Sequence, residues 1–116
     1  MVCHRGDVYW AELPGQGGGP QVRYPVLIVQ NDEINEHFST AIIAGMGIAV
    51  IDKPHKFVVQ LNAGEGGLNG PGYVDCSHLV TLNQQSLKEK AGFLNEERML
   101  EVDESLRYSL SLAGAG

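Results

Sequence analysis

Apolar positions in this chain recur with a period near two for most of its length and change to spacings of three and four only near the end. The most concentrated apolar run is Tyr24-Pro25-Val26-Leu27-Ile28-Val29, followed by Gln30-Asn31-Asp32. A short continuous run of this kind predicts a strand buried on both faces. Proline at the first residue of a strand costs no interior ladder bond. Asn31-Asp32 can bond their own backbone and turn the chain. This run is expected to be the central strand of a small sheet.

Upstream, Asp7 to Leu13 alternates, with Val8, Trp10 and less cleanly Leu13 expected to face inward. Pro14 to Gln21 is rich in glycine and proline and predicts a loop. It fits a hairpin connection or a mobile lid beside a site, and no Gly-Lys-Ser/Thr follows it to make a phosphate loop. Glu33 to Ser39 is polar, with room for one helical turn. Thr40 to Met46 predicts a second apolar strand, Lys53-Pro54 a turn, and His55 to Leu61 a strand with Phe57, Val59 and Leu61 on one face. Asn62 to Gly72 is a glycine-rich loop. Tyr73 to Cys76 and His78 to Leu82 predict two short strands or one bent strand. At the end, Asn95 is a good N-cap, and Leu94 with Met99 fits a hydrophobic staple. Met99, Val102, Leu106 and Leu110 form one apolar helical stripe. The reading is mainly β with α: a small, partly open β-barrel of five to seven strands closed by a C-terminal amphipathic helix. Residues 1–112 are expected to form one domain and 113–116 a flexible tail.

Composition narrows the function. A length of 116 residues suits a single core. The start lacks the apolar centre of a signal peptide, and no apolar run approaches the roughly 20 residues of a membrane helix. A cytoplasmic location and no membrane partner are therefore expected. Cys3 and Cys76 are expected to be thiols. Formal charge of -6 and a pI near 5.0 argue against broad electrostatic grip on duplex DNA, but leave open a short single strand held by stacking. Cys3-His4 and Cys76-Ser77-His78 lack the spacing of a structural zinc site, so no metal or other cofactor is expected.

Four segments in order resemble the MazF/PemK family of toxin–antitoxin toxins: Arg5-Gly6-Asp7-Val8-Tyr9, Pro25 to Asp32, Thr40 to Ala44, and Glu101 to Leu110. The resemblance implies an SH3-like barrel, a homodimer, metal-independent cleavage of single-stranded RNA at short sequences, and neutralisation by an antitoxin with an acidic C-terminal segment. The reaction would be attack of a ribose 2′-OH on the adjacent phosphate, which needs a base, an acid and charge stabilisation.

The chain departs from the family at its chemical positions. Where the family has arginine before the central proline stands Tyr24, with Arg23 one residue earlier, and one residue in a strand reverses the face. Gly47-Ile48 replaces Thr-Ser. His78-Leu79-Val80-Thr81 replaces Gln-Ile-Arg-Thr. The candidate catalytic residues are Arg23 for the phosphate, His78 as general acid or base, and Thr81 to orient substrate. An imidazole suits acid–base work near neutral pH, although His78 also fits a solvated strand histidine and Arg23 a solvated loop arginine. Candidate RNA contacts are Gln21, Tyr24, Gly47, Phe57 and Tyr73. Tyr24 and Tyr73 lie beside glycine loops and suit base stacking, whereas Trp10 and Phe57 also fit the core. Two further readings compete: a barrel that binds an antitoxin peptide without cutting RNA, and a CcdB-like inhibitor of topoisomerase.

Overall fold

The computed structural model describes residues 2–13 and 16–114. Among the described residues, six strands form one antiparallel sheet: β1 Asp7–Leu13, β2 Val22–Ile28, β3 Thr40–Gly47, β4 Val58–Leu61, β5 Gly72–Asn83 and β6 Leu87–Phe93. Their order is β4-β5-β3-β2-β1-β6, so β2 and β3 are central. A short helix, α1 Asp32–His37, joins β2 to β3, and α2 Glu96–Leu110 ends the fold. The edge strands β4 and β6 do not pair. The turn Glu65–Gly67 bridges them instead, its backbone lying directly on Ala91 and Gly92. A Cβ on Gly92 would stand 2.8 Å from the Gly66 carbonyl carbon, so only glycine permits this approach. The result is the expected partly open barrel.

Both faces of the sheet bury apolar side chains. On one, Val8, Leu27, Met46, Val59, Leu61 and Val74 pack beneath Val102 of α2. On the other, Cys3, Tyr9, Val26, Ile28, Ile43 and Leu82 form a second cluster. The central run is thus buried on both sides as its pattern predicts. Pro25, however, is the fourth residue of β2, opposite Trp10 of β1. It is tolerated there because the ladder with β3 begins only at Val26. Leu13 faces the second cluster, away from Val8 and Trp10, as strict alternation requires.

Other expectations shift in detail. β4 starts at Val58, because the Val58 N–H bonds the His55 carbonyl at 3.0 Å and the Phe57 N–H bonds His55 Nδ1 at 3.2 Å, making a tight turn. Tyr73 to Leu82 is one strand with a bulge. Asp75 opposes Gly45 and Leu79 opposes Ala44, leaving Cys76, Ser77 and His78 as extra residues. The strand β6 was not anticipated: Lys88-Glu89-Lys90 breaks its apolar pattern, and such charges are common on edge strands. Asn95 caps α2, accepting from the Arg98 N–H at 2.8 Å. The stripe on α2 is buried only through Leu106; Leu110 is exposed. Of the expected tail, Ala115 and Gly116 lie outside the described residues, as do Pro14 and Gly15 of the first loop.

The most recognisable motifs hold the fold. The Arg5 N–H bonds Asp32 Oδ1 at 2.6 Å, Arg5 Nε bonds the Val29 carbonyl at 2.9 Å, and its guanidinium meets Asp103 of α2 at 2.6 Å. The buried Gln30 side chain donates to Asn35 Oδ1 at 2.9 Å and to the Thr40 carbonyl at 2.8 Å. Asn31 caps α1 by accepting from the Glu33 N–H at 2.7 Å. The opening motif, the central signature and the last helix are therefore tied into one knot of hydrogen bonds.

Candidate active site

The second cluster runs out at one end of the sheet into a groove of about 330 Å³. Its walls include Leu13, Tyr24, Val26, Tyr73, Asp75 and His78, with Gly45 in its floor. Alternation explains the membership. Tyr24 and Val26 share one face of β2, and Gly45 and Gly47 share the matching face of β3.

Two rings occupy the space that side chains on β3 would otherwise fill. The Cδ2 edge of His78 lies where a Cβ on Gly45 would stand, 2.7 Å away. The hydroxyl end of the Tyr73 ring lies in the same way over Gly47, its direct partner in the ladder. The bulge aims His78. Asp75 Oδ1 accepts from the Ser77 N–H at 3.0 Å and the Ser77 hydroxyl at 2.5 Å, a local turn that pins the extra residues. His78 is exposed, while Tyr73 and Asp75 are half-buried. The groove therefore presents one imidazole, one carboxylate and two phenols. Such a set can move a proton at either end of a reaction and offers aromatic surface to a base.

The sequence-predicted residues divide by face. Tyr24, Tyr73 and His78 meet in the groove, and Gly47 lies beneath the Tyr73 ring. Arg23 does not join them. The β1–β2 register runs from Leu13–Val22 to Val8–Leu27 without a shift, so no bulge turns Arg23 toward the groove. It lies 5.7 Å over the Trp10 ring and 3.7 Å from Glu89. Thr81 is also absent, for the same reason: it shares the face of Leu79 and lines an apolar depression with Leu106 and Leu110. Phe57 sits in the turn before β4, tilted against His55 at 5.0 Å and outside the groove. Gln21 is exposed just before β2 and is not a wall residue. Within one chain, then, Arg23, Thr81, Gln21 and Phe57 do not converge with His78. Asp75 and Gly45 are additions. The Asp-x-Ser sequence before His78 and the Gly-x-Gly of β3 were their signals.

Every arginine is engaged by a carboxylate: Arg5 by Asp103, Arg23 by Glu89, Arg98 by Glu65 and Glu101, and Arg107 by Glu104. Among the described residues, no arginine or lysine lines the groove. Burial pushes both cysteine thiols up, which disfavours the nucleophilic thiolate. Cys3 and Cys76 belong to different clusters on opposite faces, so Cys3, His4, Cys76 and His78 cannot share one ion. Among the described residues no helix is long and apolar enough to cross a membrane.

Comparison with known proteins places this architecture. The family model for PemK-like, MazF-like toxins of type II toxin–antitoxin systems matches residues 4–110. The endoribonuclease MazF of Staphylococcus epidermidis is 36% identical over 112 residues, covering 96% of this chain and 93% of that protein. The endoribonuclease EndoA of Bacillus subtilis (strain 168) is 35% identical over 114 residues, covering 97% of each. A mycobacterial endoribonuclease solved in complex with its cognate antitoxin shares the fold, with a TM-score of 0.76 at 23% identity over 96% of this chain and 97% of that one. A MazE–MazF structure from Deinococcus radiodurans superposes with a TM-score of 0.76 at 21% identity over 97% and 100%. The chain belongs to the PemK/MazF-like family of toxins of type II toxin–antitoxin systems.

Proposed function

We propose that this protein is the endoribonuclease toxin of a toxin–antitoxin pair, cutting single-stranded RNA in the cytoplasm without a metal ion. The observation that carries this reading is identity of 36% and 35% with two endoribonucleases across nearly the full length of each. The groove supplies chemistry that suits it. A 2′-hydroxyl gives its proton to a base and its oxygen bonds to phosphorus. The bond from phosphorus to the 5′-oxygen breaks, and an acid protonates that oxygen. The products are a 2′,3′-cyclic phosphate and a 5′-hydroxyl. His78 is suited to one of the two proton transfers and Asp75 stands in the same groove as a carboxylate for the other. The Tyr24 hydroxyl can donate to the phosphate oxygens, and the Tyr73 ring offers a stacking surface.

Arg23 and Thr81 lie on the opposite face and would reach the same phosphate only from a second copy. A homodimer is part of this proposal, since two-fold pairing is the commonest assembly. An antitoxin with an acidic C-terminal segment is the proposed protein partner. The deciding experiment is incubation of the pure protein with mixed-sequence RNA in EDTA, followed by analysis of the product ends. The expected products end in 2′,3′-cyclic phosphate and 5′-hydroxyl. The lack of a groove cation among the described residues favours one alternative, a barrel that binds an antitoxin peptide without cutting. RNA left intact by protein that still binds an acidic helical peptide would establish that alternative.

A further inference from the structure

We propose that Gly45 and Gly47 are the seats that position His78 at the scissile phosphate and Tyr73 at the adjoining base, so that the groove accepts one unstacked nucleotide step. This rests on the ribonuclease reading and adds the shape of the substrate and two positioning residues. The observation is the paired replacement of side chains by rings. On the groove face of β3, positions 45 and 47 carry no side chain, and a ring from β5 fills each vacated place.

Both rings reach these places by different routes. Tyr73 is the ladder partner of Gly47 and leans over it directly. His78 comes from the bulge, three positions beyond Asp75, which is the ladder partner of Gly45. A Cβ at either glycine would collide with the ring, while the colliding atoms belong to a side chain and not to backbone. Such a change moves the ring and leaves the strand in place. The glycines are therefore required by the rings, since neither has the positive φ that only glycine tolerates well.

Spacing then defines the ligand. Residues two apart on a strand are separated by about 6.6–6.8 Å. Stacked nucleotides rise by only about 3.4 Å. Groups seated over Gly45 and Gly47 thus match successive parts of an extended strand and not a stacked helix. An imidazole at one seat serves the phosphate, and the phenol ring at the other offers a surface to the flanking base. A ring stacks any base, so Tyr73 contributes affinity with little sequence preference.

The test uses the full chain and an RNA oligonucleotide carrying a sequence the wild type cuts. Tyr73→Leu and Gly47→Ala should each raise KM about tenfold and leave kcat within about threefold. Tyr73→Phe should keep the wild-type KM. Gly45→Ala should lower kcat about 10²-fold or more with KM little changed. Adding Gly47→Ala to Tyr73→Leu should cost nothing further, because the ring it displaces is already gone. If Gly45→Ala does not fold, the Tyr73 and Gly47 pair still decides the matter. Glycine variants with wild-type kinetics, or additive losses in the double variant, would overturn the seats while wild-type cleavage upholds the ribonuclease. A wild type that leaves RNA intact rejects the ribonuclease reading itself.

Discussion

The two faces of the sheet use the same strands for opposite ends. On the helix face, charges are fixed in pairs: Arg5 with Asp103, and Arg98 with Glu65 and Glu101. Apolar side chains fill the space between sheet and helix. On the groove face the second cluster stops short, the floor is glycine, and the polar groups are His78, Asp75 and two tyrosines. None of these makes an ion pair among the described residues. Pairing and packing lock a residue; a site needs groups that can still meet a ligand. The end of the sheet whose polar groups make no ion pair is therefore the one positioned for chemistry.

The largest expected effect tests that division directly. His78→Ala should reduce RNA cleavage by about 10² to 10⁴. Its melting temperature should stay close to wild type, because His78 is exposed. Initial-rate assays beside a thermal melt would check both. A variant that unfolds instead would show His78 to be part of the scaffold.

The next effect belongs to the helix face. Arg98 grips Glu65 through two bonds of 3.0 and 2.9 Å, with both side chains mostly buried. Glu65→Gln should cost about 1.5–3 kcal/mol by chemical denaturation and leave cleavage unchanged under native conditions. The hydrogen bonds from Arg98 hold the Glu65 carboxyl below its ordinary value of 4.5. The folded state thus binds that proton less readily than the unfolded chain. The stabilisation is complete above about pH 4.5 and is lost as pH falls through the lower folded value. Denaturation curves across that range should be flatter with pH in Glu65→Gln than in wild type. A smaller loss is expected at the start of α2, where Asn95→Ala removes the bond to the Arg98 N–H. About 1 kcal/mol should go, again with no change in rate.

The helix face was also the legible one. Arg5-Gly6-Asp7 and Gln30-Asn31-Asp32 carry the resemblance, and Arg5 bonds both Asp32 and Asp103 of α2. Their residue types follow from local needs: a buried amide, an N-cap, a salt bridge to a helix. The Asn95 cap and most of the α2 stripe were readable on the same grounds. The groove was less so. Alternation counted forward from Tyr73 turns His78 away from the groove, and only the bulge brings it back. Gly45 and Gly47 carry no side chain to suggest a role. β6 was hidden because an edge strand hides its apolar period behind charge.

The smallest expected effect is the sharpest test of the two-face division. Arg23 and Thr81 were natural candidates from their places in the chain, yet both point to the other side of the sheet. Arg23 stands over Trp10, and Thr81 beside Leu106 and Leu110. Each is partly or fully exposed, and the contact of Arg23 with Glu89 is a long one at 3.7 Å. Such surface pairs contribute little. If the groove works with the residues of one chain, Arg23→Ala and Thr81→Ala should each leave cleavage within about threefold and the melt nearly unchanged. Loss of a donor to the reacting phosphate would instead cost on the order of 10² to 10³. A loss that large at Arg23 cannot be delivered across the sheet that separates it from His78. It would place Arg23 of a second copy over the groove. Mixing Arg23→Ala with His78→Ala protein would then restore cleavage at one of the two shared sites, whereas sites made within one chain would stay dead in the mixture beyond the residual rate of each variant.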